Sequence, residues 1–267
     1  MARPSALTGG RAPTQSYLQH LEQTLDYANP YAYDAGAIAA SASVAERSAF
    51  IRRTYTHLVG AVIAFLMAEA VLLTIFPPAM LLERMGGLLG GFGWLAVLGA
   101  FMVVSWVANS WAHRETSPAL QYAGLGLYVV AEAVIFLPLM AISLRVDQTG
   151  SIPLQAGLIT GIVFMGLTAF VFATGADFSW LGRYLWLAAI AGMAMIVVGI
   201  FTGFTFGLFI SAAFVVLAAG YILYDTSNVL HHYRTTQHVA ASLALFASVA
   251  LMLWYVMQIL ISLSGDD

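Results

Sequence analysis

The sequence predicts an all-α, polytopic membrane protein, a bundle of seven transmembrane helices, and three observations lead there. Of 267 residues, 61% are hydrophobic and 9% charged, whereas soluble domains carry about a quarter charged residues. Mean hydropathy is +0.85. Apolar runs recur between Gly, Pro and charge clusters, each near the roughly 20 residues needed to cross ~30 Å of hydrocarbon.

Residues 1–48 read as a mobile polar tail on the cytoplasmic side, with a short interfacial helix near Tyr17–Leu25, and residues 49–264 as the transmembrane domain. The first fifteen residues lack a continuous apolar core, which argues against a cleavable signal peptide. Spans are expected at about Tyr55–Phe76, Phe92–Trp111, Leu120–Leu144, Leu154–Thr174, Leu185–Thr202, Phe204–Leu230 and Val239–Leu263. The tight link at Thr202-Gly203-Phe204 makes the fifth and sixth helices antiparallel neighbours. With the N-terminus in the cytoplasm, Arg47, Arg52, Arg53, Arg114, Arg183 and Arg234 fall inside, and Arg84 and Arg145 outside. This arginine bias orients the chain and places the C-terminus outside. Gly157-Xaa3-Gly161 and Gly124-Leu125-Gly126 predict close helix approach through small residues.

Composition also excludes chemistry. The chain has no cysteine, so disulfides, thiolate metal sites and cysteine nucleophiles are absent. Every basic residue is arginine, which leaves no amine for a retinal Schiff base. A net charge of −3 provides no basic surface for nucleic acid. His231, His232 and His238 crowd one short polar loop, with no His-Glu-x-x-His and no Gly-x-Ser-x-Gly, so neither an enzyme nor a cofactor is expected. The absence of lysine beside heavy Ala, Gly and Arg usage points to a bacterial source.

Three acids lie inside predicted spans: Glu69 in the first, Glu132 in the third and Asp225 in the sixth. A carboxylate at helix depth in lipid costs at least about 2.5–3.5 kcal/mol, and such groups face a polar interior, a partner or an ion pathway. Asp225 is the first functional candidate, and the alternative is an acid that only satisfies a helix end. No basic residue lies deep in any span, so Arg52 and Arg53, entering from the start of the first span, are the expected partners of Asp225. His232, seven positions after Asp225, is a candidate to tune a proton response. Glu132 stands six residues before Pro138, where an opened helix can line a cation path, which makes it a candidate pore acid. Asp225 and Glu132 are the candidate metal-contacting groups, since oxygen ligands suit Ca2+. Glu69 is expected to reach out toward the interface.

Several segments resemble the Bax inhibitor-1 (transmembrane Bax inhibitor motif) family, in its bacterial branch. Asp177-Phe178-Ser179-Trp180-Leu181-Gly182 is similar to its Asp-Phe-Ser-x-Leu-Gly loop, and Leu223-Tyr224-Asp225-Thr226-Ser227 to its Tyr-Asp-Thr signature. Phe50-Ile51-Arg52-Arg53-Thr54-Tyr55 and the Glu132/Pro138 spacing are similar to two further patterns of that family. The resemblance covers roughly Phe50 to Leu260. It implies a bundle with the C-terminal helix central, and a pH-sensitive passive Ca2+ leak gated by aspartates on the sixth and seventh helices with an arginine partner. Asp225 takes the sixth-helix position. Ser248 stands where many members carry the second aspartate, and no arginine lies within the second span. Ser248 can donate a hydrogen bond to Asp225 but cannot share a proton as a carboxylate would.

Two functions are therefore expected from different classes. One is a proton-sensitive cation (Ca2+) leak in the inner (plasma) membrane. The other is a non-conducting membrane regulator of an inner-membrane protease or stress response, acting through the tail.

Overall fold

The computed structural model describes residues 36–85, 92–114, 117–202 and 207–265, all within one compact unit. Eight helices form among the described residues: α1 (Val44–Ile75), α2 (Pro78–Met85), α3 (Phe92–Ala112), α4 (Pro118–Val146), α5 (Ser151–Thr174), α6 (Leu181–Thr202), α7 (Leu208–His231) and α8 (His238–Ser264). All but α2 are long and apolar enough to span a membrane. The seven expected spans match these seven helices. Residues 1–35 of the tail expected over 1–48, with the helix near Tyr17–Leu25, and the link at residues 203–206 lie outside the described residues.

Helix ends follow local chemistry. Ser43 and Glu46 form a reciprocal capping box, so α1 starts at Val44, well before the expected Tyr55. Pro77 and Pro78 stop α1, and the short α2, which the apolar pattern does not signal, follows at once. Ser117 caps α4, with Pro118 in its first turn. α4 runs through Pro138 without a break, contrary to an opened helix. Gly175 ends α5 at φ 60°, in the left-handed region that glycine enters without a Cβ clash.

α1, α4 and α8 pack against one another, and α8 also meets α3, α5 and α7. The C-terminal helix is thus central, although α4 is the more enclosed of the two. An aromatic chain ties these three helices together. Phe65 meets Phe136 edge-on at 5.1 Å and Phe246 at 6.0 Å, and Trp254 meets Phe136 at 5.1 Å and stacks on Trp94 at 6.2 Å. α6 packs on α7 and α2 on α4.

Small residues act where the pattern did not place them. A Cβ on Gly124 would lie 2.5 Å from the Ala108 carbonyl oxygen, so α3 and α4 touch backbone to backbone. Gly126, Gly157 and Gly161 have open space around them, which corrects the expected helix contact at that pair. Before α1, residues 36–39 strap the loop between α7 and α8. Ala39 N–H donates to the Tyr233 carbonyl and Thr235 N–H to the Ala37 carbonyl, both at 2.9 Å.

Candidate functional site

Asp225 lies on the inward face of α7 with Ala218, Ile222 and Val229, which are fully buried, and is itself 7% exposed. The antiparallel α8 brings Ser248 alongside, and its hydroxyl donates to Asp225 Oδ2. Among the described residues Oδ1 has no hydrogen-bond partner, and no arginine contributes to the surroundings of this carboxyl. Arg52 and Arg53 sit on the exposed side of α1, two and one positions before the buried Thr54. The expected Arg52/Arg53 to Asp225 pairing is therefore corrected, because the rotation of α1 that buries Phe50, Thr54 and Leu58 leaves both arginines exposed, with Arg53 near His238 rather than Asp225. The Arg53 carbonyl instead accepts from His57 Nδ1 at 2.6 Å, leaving Nε2 to accept from the Tyr122 hydroxyl at 3.1 Å.

Glu132, 6% exposed on α4, lines the same cavity as Asp225 and Ser248. Tyr128, one turn earlier, turns its hydroxyl toward it. This open-sided cavity of about 1150 Å³ lies between α3 and α6, with α4, α7 and α8 as its floor. Along α7 it extends from Asp225 to Ser211, whose hydroxyl bonds the Gln258 side chain of α8 at 3.1 Å. Fourteen residues at about 1.5 Å each make that distance about 21 Å. Tyr221 and Gln258 add polar groups to walls that are otherwise largely aromatic and aliphatic. Tyr233, in the loop after α7, has its phenol pushed above the ordinary range by burial first, and then by Asp225 and Tyr224.

Glu69 does not reach the interface. It is 3% exposed, and neither carboxyl oxygen has a partner among the described residues. Its place on the face of α1 that buries Leu58, Ala61 and Phe65 explains why, since reaching outward would require crossing the helix. Glu69 does not line the cavity.

His232 meets Asp177 rather than Asp225. Its Nε2 lies 3.1 Å from Asp177 Oδ2, in the one ion pair found among the described residues, with both side chains about half exposed. Asp177 Oδ1 also accepts from Ser179 N–H at 2.8 Å and from the Ser227 hydroxyl at 3.2 Å, while Ser227 Oγ accepts from Phe178 N–H at 2.8 Å. The Ser179 backbone donor, followed by His232, holds the Asp177 carboxyl well below the usual carboxylate range. The loop between α5 and α6 is thereby latched onto α7 two residues from Asp225. The signal available for it was the Asp177-x-Ser179 spacing, which favours a local side-chain to backbone turn. The three loop histidines do not converge: His238 lies against the His57 ring at 5.0 Å, and no group of three or more metal-ligating side chains occurs among the described residues.

The bundle and its buried acid give the context for the comparison with known proteins. A family model described as inhibitor of apoptosis-promoting Bax1 matches residues 47–265. The chain belongs to this Bax inhibitor family. Within it, the chain is 25% identical to protein lifeguard 4 of Mus musculus over 232 residues, covering 85% of this chain and 91% of that protein. It is 26% identical over 253 residues to the Golgi anti-apoptotic protein of Vaccinia virus (strain Lister), covering 93% and 96%. It is also 26% identical over 211 residues to protein LIFEGUARD 4 of Arabidopsis thaliana, covering 76% and 80%. The family match spans α1 to α8, and both Asp225 and Ser248 fall within it.

Proposed function

We propose that this Bax inhibitor family member is a pH-sensitive passive leak pathway for cations, Ca2+ in particular, with Asp225 as the proton-sensing gate, Ser248 as its positioning donor and Glu132 as the pore acid. The observation that carries the reading is that Asp225 and Glu132 face one cavity inside a membrane-spanning bundle with no basic side chain to neutralise them. A charged carboxylate there draws a cation inward, and a protonated one does not. Ca2+ takes six to eight oxygen ligands, and two carboxylates with a few hydroxyls fall short of that set. The site therefore suits transit with retained water rather than tight storage. The arginines clustered at one end of the helices support an inner (plasma) membrane orientation with the N-terminus in the cytoplasm and the C-terminus outside.

The test is Ca2+ uptake into proteoliposomes followed by an internal fluorescent dye from mildly acidic to neutral pH. The parent protein is expected to show pH-dependent flux. Asp225→Asn, fixed in a neutral form, is expected to hold one flux value across that range, and Glu132→Gln to lower the flux at every pH. An absence of flux in the parent, or an unchanged pH profile in Asp225→Asn, would overturn the gate.

The family model's description as an inhibitor and the Vaccinia virus relative's as anti-apoptotic describe regulation, and they support a second reading, a non-conducting membrane regulator of an inner-membrane protease or stress response. Deleting residues 1–35 separates the two. A leak persists in the shortened protein, whereas a regulator acting through that segment loses its partner.

A further inference from the structure

The cavity that holds Asp225 and Glu132 is ill suited to an inorganic ion alone. Its walls are mostly apolar, with Trp94, Phe101 and Trp106 from α3 facing Met193 and Ile196 from α6. A hydrated cation bound at the acids would make no use of that apolar surface. The cavity's charges, by contrast, are two acids, Asp225 and Glu132. Asp225 presents an unpartnered Oδ1 and Glu132 sits beside its own Tyr128, each carboxyl more than nine-tenths buried. About 21 Å farther along α7, Ser211 and Gln258 close the cavity with neutral polar groups bonded to each other.

An anionic end, a long apolar trough and an opening on the side match a molecule with an ammonium group at one end of an alkyl chain. We propose that this cavity is a binding site for a single-chain amphiphilic amine, its ammonium group at Asp225 and its chain running along α7 toward Ser211. The ammonium donates to Asp225 Oδ1 while Ser248 continues to hold Oδ2, and Glu132 adds a second negative charge to the same cavity. Trp94, Trp106 and Trp254 flank the chain. Such a ligand enters sideways from the bilayer, where amphiphiles are already concentrated, and needs no aqueous path. The inference names a second ligand class for the cavity and shares with the leak reading the premise that these two acids meet cations there. It does not depend on conduction.

Those three tryptophans provide the measurement. The full-length protein in phosphatidylcholine vesicles is titrated with a bromine-terminated dodecylamine, whose bromine quenches indole fluorescence, and in parallel with the bromine-terminated dodecanol of the same length. The amine is expected to quench saturably and the alcohol only in proportion to its share of the bilayer. The Asp225→Asn/Glu132→Gln double variant is expected to bind the amine at least about ten-fold more weakly, the equivalent of one lost charge-assisted contact. Ala247→Phe, which retains both acids and fills the trough, is expected to abolish saturation, with its thermal midpoint checking that it folds. Equal quenching by amine and alcohol, or unchanged binding in the double variant, would overturn the proposal. Ca2+ uptake measured on the same vesicles distinguishes the two readings. Flux without saturable quenching removes this inference and leaves the leak, and saturable quenching without flux removes the leak and leaves this inference.

Discussion

Among the described residues, Ser248 is the single hydrogen-bond donor to the Asp225 carboxyl, and no arginine lies near it. Ser248→Ala is therefore expected to lower thermal stability in detergent by about 1–3 kcal/mol, the usual cost of stranding a buried polar group. An unchanged midpoint would mean that water takes over the role of the hydroxyl. Glu69 is the opposite case, because both of its oxygens are already stranded. Glu69→Met keeps the length of the side chain and removes the unsatisfied group, so it is expected to raise the midpoint, and a fall would show that the carboxyl is engaged. At this scale, Asp225 and Glu132 were legible in the sequence because a lone acid in an apolar run has few places to go. Ser248 was legible only through the family resemblance, since a serine in an apolar helix carries no signal of its own. The arginine partnership was not legible, because a one-residue difference in position separates an inward from an outward guanidinium, and helix rotation is fixed by packing with distant segments.

Between elements, contacts are made by backbone and by loops as much as by apolar faces. Gly124→Ala pushes a methyl group into the Ala108 carbonyl and the Ala112 amide of α3. Overpacking of this kind costs about 1–3 kcal/mol, and the expected outcome is a lowered midpoint with α3 loosened from α4. Gly157→Ala, in open space, serves as the neutral comparison. The loop latched to α7 yields a separate expectation. Ser227→Ala removes the acceptor of Phe178 N–H, so amide exchange at Phe178 is expected to accelerate while α5 and α6 remain protected. The pH dependence of that latch follows from the depressed carboxyl of Asp177. A carboxyl held below its unfolded value contributes its stabilisation above the unfolded value, about 3.9, and loses it as pH falls through the folded one. The latch therefore stays closed from neutral to mildly acidic pH and opens only in strong acid, which amide exchange at Ser179 across that range checks. Sequence pattern alone placed His232 on the face of Asp225 by counting along one helix. A half-exposed imidazole at a helix end instead took the acceptor offered by the neighbouring loop.

For the molecule as a whole, the span count was the most legible property, because length and hydropathy decide it and no tertiary detail enters. The centrality of α8 came from resemblance, and its physical basis is its contact with helices on nearly every side. The cavity was not legible, since it arises from the space between α3 and α6, which have different packing partners. An odd number of crossings places residues 41 and 264, both exposed, on opposite faces of the membrane. With no cysteine in the chain, Ser41→Cys and Ser264→Cys each give a single reactive thiol. An impermeant maleimide applied to intact vesicles of one orientation is expected to label one of the two, and labelling of both would contradict seven spans.

The strap ahead of α1 has a consequence for biosynthesis. Residues 36–39 bond to a loop that leaves the ribosome about 200 residues later, and at about 5–20 residues per second that loop is roughly ten to forty seconds away. Throughout that interval the Ala37 carbonyl and the Ala39 amide wait for the loop groups that they bond in the finished protein. The seam is sewn last, after all seven helices have entered the lipid, so a nascent chain stalled before residue 235 is expected to be cut by protease at this segment while the finished protein resists.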